Sequence, residues 1–245
     1  MPETAPAVLP PLPTYDCPLV PRAPVLDGTL GDPLWQLAPA MTLAKCVSGA
    51  PAAQLTTVRL LWHGDYLYLG AEMAEFDLED HNEKHNDHVF GEQCVELFLA
   101  APAGVPADDA AGPWRYLEYD TSPKGVFWDA RVANPLGWPD AAGQRRLSLD
   151  ESYWPDDLLA FTTWDGTLND PRDRDTGWKL ELQVPLTGPP GGARPEIGEV
   201  WRANIYRIHN FQEPDCELQS WSLVGIPNFH VPARFGYLRF AGPVG

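Results

Sequence analysis

The chain's 245 residues predict an all-β protein: an antiparallel β-sandwich of the immunoglobulin or jelly-roll kind, with one short N-terminal helix. Three observations carry this prediction. Proline (27) and glycine (21) recur too often for long helices. Short runs alternate apolar and polar residues with period two, as half-buried strands do. No stretch has the length and composition of a linker between two cores. A single domain over 22–245 is therefore expected behind a proline-rich arm over 1–21. A hydrophobic content of 44% is enough for a sizeable core.

The elements follow in chain order. The arm is expected to be extended and poorly packed at its start. Asp32-Pro33-Leu34-Trp35 reads as a helix start, with Asp32 as N-cap, Pro33 at the first helical position, and Leu34 and Trp35 turned to the core. Pro39 keeps this helix short. A hairpin is predicted from Val58 to Met73, turning at Gly64-Asp65. From Cys94 to Leu99, Val95, Leu97 and Leu99 share one face, while Cys94, Glu96 and Phe98 share the other. A second hairpin joins 116–120 to 126–132 across Ser122-Pro123-Lys124-Gly125. Trp178 to Val184 alternates as a half-buried strand ended by Pro185. Strands over 201–208, 219–223 and 237–240 complete the set, and 101–113 and 186–199 read as surface loops.

Charge narrows the partners. A net charge of −17 repels nucleic-acid phosphates and anionic membranes, but it is compatible with neutral ligands and divalent cations. No apolar run reaches membrane-spanning length. The N-terminus has neither a basic start nor an apolar run, so no signal peptide is read. The expectation is cytoplasmic as written, or secreted or periplasmic if the start is truncated. Cys17, Cys46, Cys94 and Cys216 form no CxxC pair, which argues for free thiols, with a single disulfide as the alternative. The sequence gives no oligomeric state.

Candidate site residues cluster by type. The stretch Trp201-Arg202-Ala203-Asn204, Ser220-Trp221-Ser222 and Phe229 to Gly236 sets aromatic faces beside a few polar groups. A pyranose, with a C–H face and a rim of hydroxyls, needs such a surface. Phe90 and Phe229 fall in loops next to strands. Glu96 and Glu118 share strand parity and could hold hydroxyls or a cation, or act as an acid–base pair. Trp128 and Trp164 are further platforms. Tyr206 and Arg207, with Asn204, either line a concave face or cross-link the sheet. His230 either donates to a ligand or fixes its own loop. Asn169, Asp170, Asp173 and Asp175 lie in a turn before Gly177, and such a set suits Ca²⁺. His81, His85 and His88 would share a face on a helix and could then hold zinc, but 80–87 is a polar run that reads as a loop. No organic cofactor is expected.

The order of several segments resembles the family 9 carbohydrate-binding modules, in particular the stand-alone bacterial family 9-like proteins. The matching pieces are Val25-Leu26-Asp27-Gly28 with Asp32-Pro33-Leu34-Trp35, and Leu61 through Tyr68. Cys94-Val95-Glu96-Leu97-Phe98 follows, then Gly166-Thr167-Leu168-Asn169 with Asp173 to Glu181. Trp201-Arg202-Ala203-Asn204 and Phe229-His230-Val231-Pro232 with Phe235-Gly236 close the series, and the resemblance covers roughly residues 22–242. It implies a β-sandwich that clamps a pyranose between two aromatic rings, which fall here on Phe90 and Phe229. It also implies a strand carboxylate at Glu96 that accepts sugar hydroxyls, and structural calcium. Two departures stand out: the family's sugar-binding modules carry tryptophan at both clamp positions, and Glu118 replaces a basic residue.

The resulting expectation is a non-catalytic carbohydrate-binding protein with a mono- or oligosaccharide partner and a possible link to polysaccharide catabolism. The alternatives are a glycoside-processing enzyme and a haem-binding electron-transfer domain, the latter using Met41, Met73 or histidines as axial ligands.

Overall fold

The computed structural model describes residues 4–102, 112–135, 147–152, 155, 157–187, 193–210 and 216–244. It is nearly all-β. The strands are β1 (Thr14–Leu19), β2 (Met41–Thr42), β3 (Ala44–Lys45), β4 (Thr56–His63), β5 (Tyr66–Ala74), β6 (Cys94–Ala100) and β7 (Arg115–Thr121). They continue with β8 (Phe127–Ala133), β9 (Ser148–Asp150), β10 (Leu159–Asp165), β11 (Gly177–Pro185), β12 (Val200–His209), β13 (Glu217–Ser220) and β14 (Gly236–Pro243). One curled sheet runs in the order β10-β11-β5-β4-β1-β14-β12-β6-β7-β8-β9, with β2, β3 and β13 attached at its side.

Both predicted hairpins form. Gly64 takes a φ of +60° in the two-residue turn between β4 and β5, and β7 pairs with β8 from Arg115↔Ala133 to Thr121↔Phe127. Two expectations need correction. The sheet is mixed rather than purely antiparallel, because β1 runs parallel to both β14 and β4. The proline-rich stretch thus contributes a central strand. Tyr15 and Cys17 alternate inward, and the Tyr15 hydroxyl accepts from the Leu60 amide at 2.9 Å. The short N-terminal α-helix does not form either. Pro33–Leu37 is a single 3₁₀ turn, although Asp32 caps it as expected, accepting from the Leu34 amide at 3.0 Å.

The sheet curls so that its two halves face each other across one core. Val58, Leu60, Leu69, Leu180 and Leu182 come from one half, and Val95, Leu97, Leu117, Ile205 and Phe240 from the other. The outer faces are also covered. Trp35, Leu61 and Tyr68 form a small cluster under the segment before β2. A second cluster, rich in aromatics, lies on the outer face of β6, β7, β8 and β12 beneath the 224–235 loop. That cluster supports the candidate site.

Candidate ligand site

Strand pleat and register build the floor. Across β12, β6, β7 and β8 one row reads Tyr206, Glu96, Asp120, Trp128, and the next reads Asn204, Phe98, Glu118, Ala130. These side chains all point away from the central core, since period-two alternation sends Val95, Leu97, Leu117 and Tyr119 the other way. The parity read from the sequence is correct, but this face is not a solvated surface. Glu96 and Glu118 are only 3% and 4% exposed.

The wall is the loop between β13 and β14. Val224, Val231 and Phe235 anchor it in the second cluster, and Arg202 donates through Nε and Nη2 to the Phe235 carbonyl. Gly112, at φ +73°, packs so tightly against this loop that a Cβ would collide with the Pro232 carbonyl. Phe229 stacks on Tyr206 with centroids 4.1 Å apart, and the Tyr206 hydroxyl donates to the Phe229 carbonyl. The His230 Nδ1 is 2.8 Å from the Tyr116 hydroxyl and 3.8 Å from Glu118 Oε2, while Asn134 donates to the His230 carbonyl. On the other side Phe90 lies in the 3₁₀ turn Val89–Gly91, packed edge-on against Trp128 and stacked on His88.

Between floor and walls lies a cleft of about 310 Å³, lined by Phe90, Glu96, Glu118, Trp128, Phe229 and His230. Six of the sequence-predicted ligand residues therefore converge. Two do not line it. Tyr206 is fully buried beneath Phe229 as its support. Arg207, one residue on, points through the opposite face and cross-links the two sheet halves. Its guanidinium meets Glu75 Oε2 at 2.6 Å and Thr56 Oγ1 at 3.0 Å. Trp164 is 43% exposed on the edge strand β10 and lines a separate cleft with Thr57, Glu72 and Lys179.

The remaining candidates disperse. Asp175 accepts from the Leu78 and Thr167 amides, Asp170 from Arg172, and Asn169 from the Asp80 amide. Asn169, Asp170 and Asp175 are thus each engaged by a neighbouring donor within the turn and the adjoining 78–80 segment. The histidines separate likewise: His81 pairs with Glu92, His85 with Asp129, and His88 stacks on Phe90. Met41 and Met73 are packed in the central core. None of the four cysteines is in a disulfide, and Cys17, Cys46 and Cys94 are buried.

Asp120 was missed. It shares the parity of Glu118, and register places it directly opposite Glu96. It is fully buried, and its carboxyl is pushed well above the usual range by burial and then by Glu96, Glu118 and Asp129. The hairpin register was the signal that could have found it.

Comparison with known proteins follows the geometry. A family model described as "Carbohydrate family 9 binding domain-like" matches residues 26–107. Over that stretch the chain is similar to that family. The resemblance read from the sequence holds there. An "Extracellular protein" of Arthroderma benhamiae is 25% identical over 194 residues, which span 76% of this chain and 78% of that one. Among solved structures, a candidate carbohydrate-binding protein from Bacteroides uniformis superposes with a TM-score of 0.67 at 18% identity, covering 93% of this chain and 98% of its own. A family 9 carbohydrate-binding module from Caldicellulosiruptor kristjanssonii, in complex with glucose, gives 0.56 at 15% identity over 94% and 96% of the two chains. Its cellotriose complex gives 0.57 at 15% identity over 94% and 95%. At these identities the superpositions establish a shared fold.

Proposed function

We propose that the protein is a non-catalytic carbohydrate-binding protein, and that the cleft over β6–β8 takes the sugar. The observation that carries this is convergence on a family 9-like chain. Two loop aromatics far apart in sequence, Phe90 and Phe229, meet strand carboxylates in one cleft. In this reading the curled sheet is a jelly-roll sandwich, and the sugar lies between the two phenyl rings. One face of Phe229 is already held by Tyr206, so the ring is rigid and needs little ordering on binding. Glu96 and Glu118 accept hydroxyl hydrogen bonds at the floor, and His230 is oriented by Tyr116. The description of the fungal relative favours an extracellular setting for such a role.

A glycan array followed by calorimetry with glucose and cellotriose, the ligands of the structural neighbours, tests this directly. Saturable binding of a saccharide that Phe229→Ala abolishes supports it. Phe229→Trp is expected to strengthen binding through a larger ring face. An array with no bound glycan, or release of reducing sugar from a bound one, overturns the reading.

A further inference from the structure

The floor of the cleft carries a feature that sugar binding alone does not require. Glu96, Glu118 and Asp120 each bring a carboxylate oxygen to within 4.8 Å of the others. Register imposes this proximity: Asp120 is directly opposite Glu96, and Glu118 is two residues along the same strand. Like charges set opposite each other weaken a sheet, and here all three are buried. An independent observation concerns Asp120 itself. It is 0% exposed, and neither of its oxygens has a hydrogen-bond partner among the described residues. Buried carboxylates ordinarily have such partners. Every charged group found to act on Asp120 is another carboxylate.

We propose that Glu96, Glu118 and Asp120 form a binding site for a divalent, oxygen-preferring cation at the base of the cleft, where Glu96 and Glu118 line the space and Asp120 is fully buried beside them. An all-carboxylate donor set selects hard ions such as Ca²⁺, Mn²⁺ or Mg²⁺ over thiolate-seeking metals. Metal–oxygen distances of about 2.3–2.6 Å for Ca²⁺ let ligand oxygens stand up to roughly 5 Å apart, which the trio satisfies. A doubly charged ion offsets more of the trio's negative charge than a monovalent one. Three side chains do not fill a calcium shell of six to eight oxygens. Its open positions would face the space between Phe90 and Phe229, within reach of vicinal hydroxyls. That last step rests on the carbohydrate reading, whereas the site itself does not.

The test uses the whole protein, stripped with chelator and titrated with CaCl₂ or MnCl₂ in the absence of sugar, followed by calorimetry and Mn²⁺ resonance. One ion per chain and a higher Tm with metal are expected. Asp120→Asn and Glu118→Gln should each weaken binding about tenfold or more, while Asp170→Asn should bind like the wild type. In chelator, Asp120→Asn should melt at or above the wild-type temperature, which separates a lost ligand from a lost fold. A wild type that ignores millimolar metal overturns the proposal. So does Asp120→Asn binding metal as the wild type does, since the ion would then lie elsewhere. Binding of glucosamine but not glucose by stripped protein, without competition from metal, would assign the trio to an ammonium and also overturn it. Saccharide titrations with and without metal keep the two readings apart. Metal binding without any saccharide binding sinks only the carbohydrate reading, and saccharide binding without metal binding sinks only the cation site.

Discussion

Two groups of buried charge occupy opposite faces of β6 and β12, and they are built differently. On the face toward the central core, Glu75 meets Arg207 at 2.6 Å and His209 at 3.0 Å. Arg207 also donates to Thr56 Oγ1 and to the Ala74 carbonyl. Burial pushes the Glu75 carboxyl up, but the His209 hydrogen bond and the Arg207 charge outweigh it, and the group ends below its ordinary range. On the outer face, Asp120 lies with Glu96 and Glu118, and burial followed by their charges and that of Asp129 leaves its carboxyl far above that range. The first group pairs its opposite charges within the chain and ties the two sheet halves together. The second concentrates like charge at the bottom of an open cleft. Buried charge that is balanced internally reads as architecture, and buried like charge beside a cavity reads as a place for something from outside.

The largest effect expected from this contrast is at Arg207. Arg207→Ala leaves Glu75 buried without its cation and should cost about 3–5 kcal/mol in denaturant unfolding. A loss near that of an exposed ion pair would break the comparison. Next comes Glu96→Ala, which should weaken saccharide binding by about 1.5–3 kcal/mol, a charged hydrogen bond's worth, with the unfolding midpoint little changed. Calorimetry beside a melting curve separates the two, and a variant that melts early but binds normally would make Glu96 architectural.

A smaller effect is expected at Asp120, where the sign is the informative part. In metal-free buffer Asp120→Asn should stabilise by roughly 0.2–1 kcal/mol, because it removes a like-charge cross-strand pair. Destabilisation would mean that the trio is balanced as Glu75 is. The pH dependence sharpens the same point. A raised folded-state value means that the native chain holds the Asp120 proton longer than the unfolded chain. Metal-free stability should therefore fall as pH climbs from the ordinary Asp range, near about 4, through the raised value. Glu75 acts in the opposite sense: its contribution is present above the ordinary carboxylate range and is lost as pH falls through its lowered value. Melting curves across acidic to neutral pH, for the wild type and Asp120→Asn, should differ only by the loss of the first trend.

The sequence by itself determined the β character, both hairpins and the parity of each strand. These depend on period-two patterning and turn residues, which are local. Parity was enough to place Glu96 and Glu118 on one face, and loop position was enough to single out Phe90 and Phe229. Tertiary structure decided the rest. β1 was hidden because Pro13 and Pro18 bracket a run too short to show alternation, and its strand state comes from pairing with β14 and β4. The helix at Pro33 stayed a single 3₁₀ turn that sets Leu34 and Trp35 on Leu61 and Tyr68 and turns extended at Ala38. Arg207 and Tyr206 are adjacent in sequence yet went to opposite faces, one to a cross-link and the other beneath Phe229. Asp120 joined Glu96 only through the register between two strands. Which residues meet across strands is a non-local fact, set by register and by the curl of the sheet, and no single strand's pattern contains it.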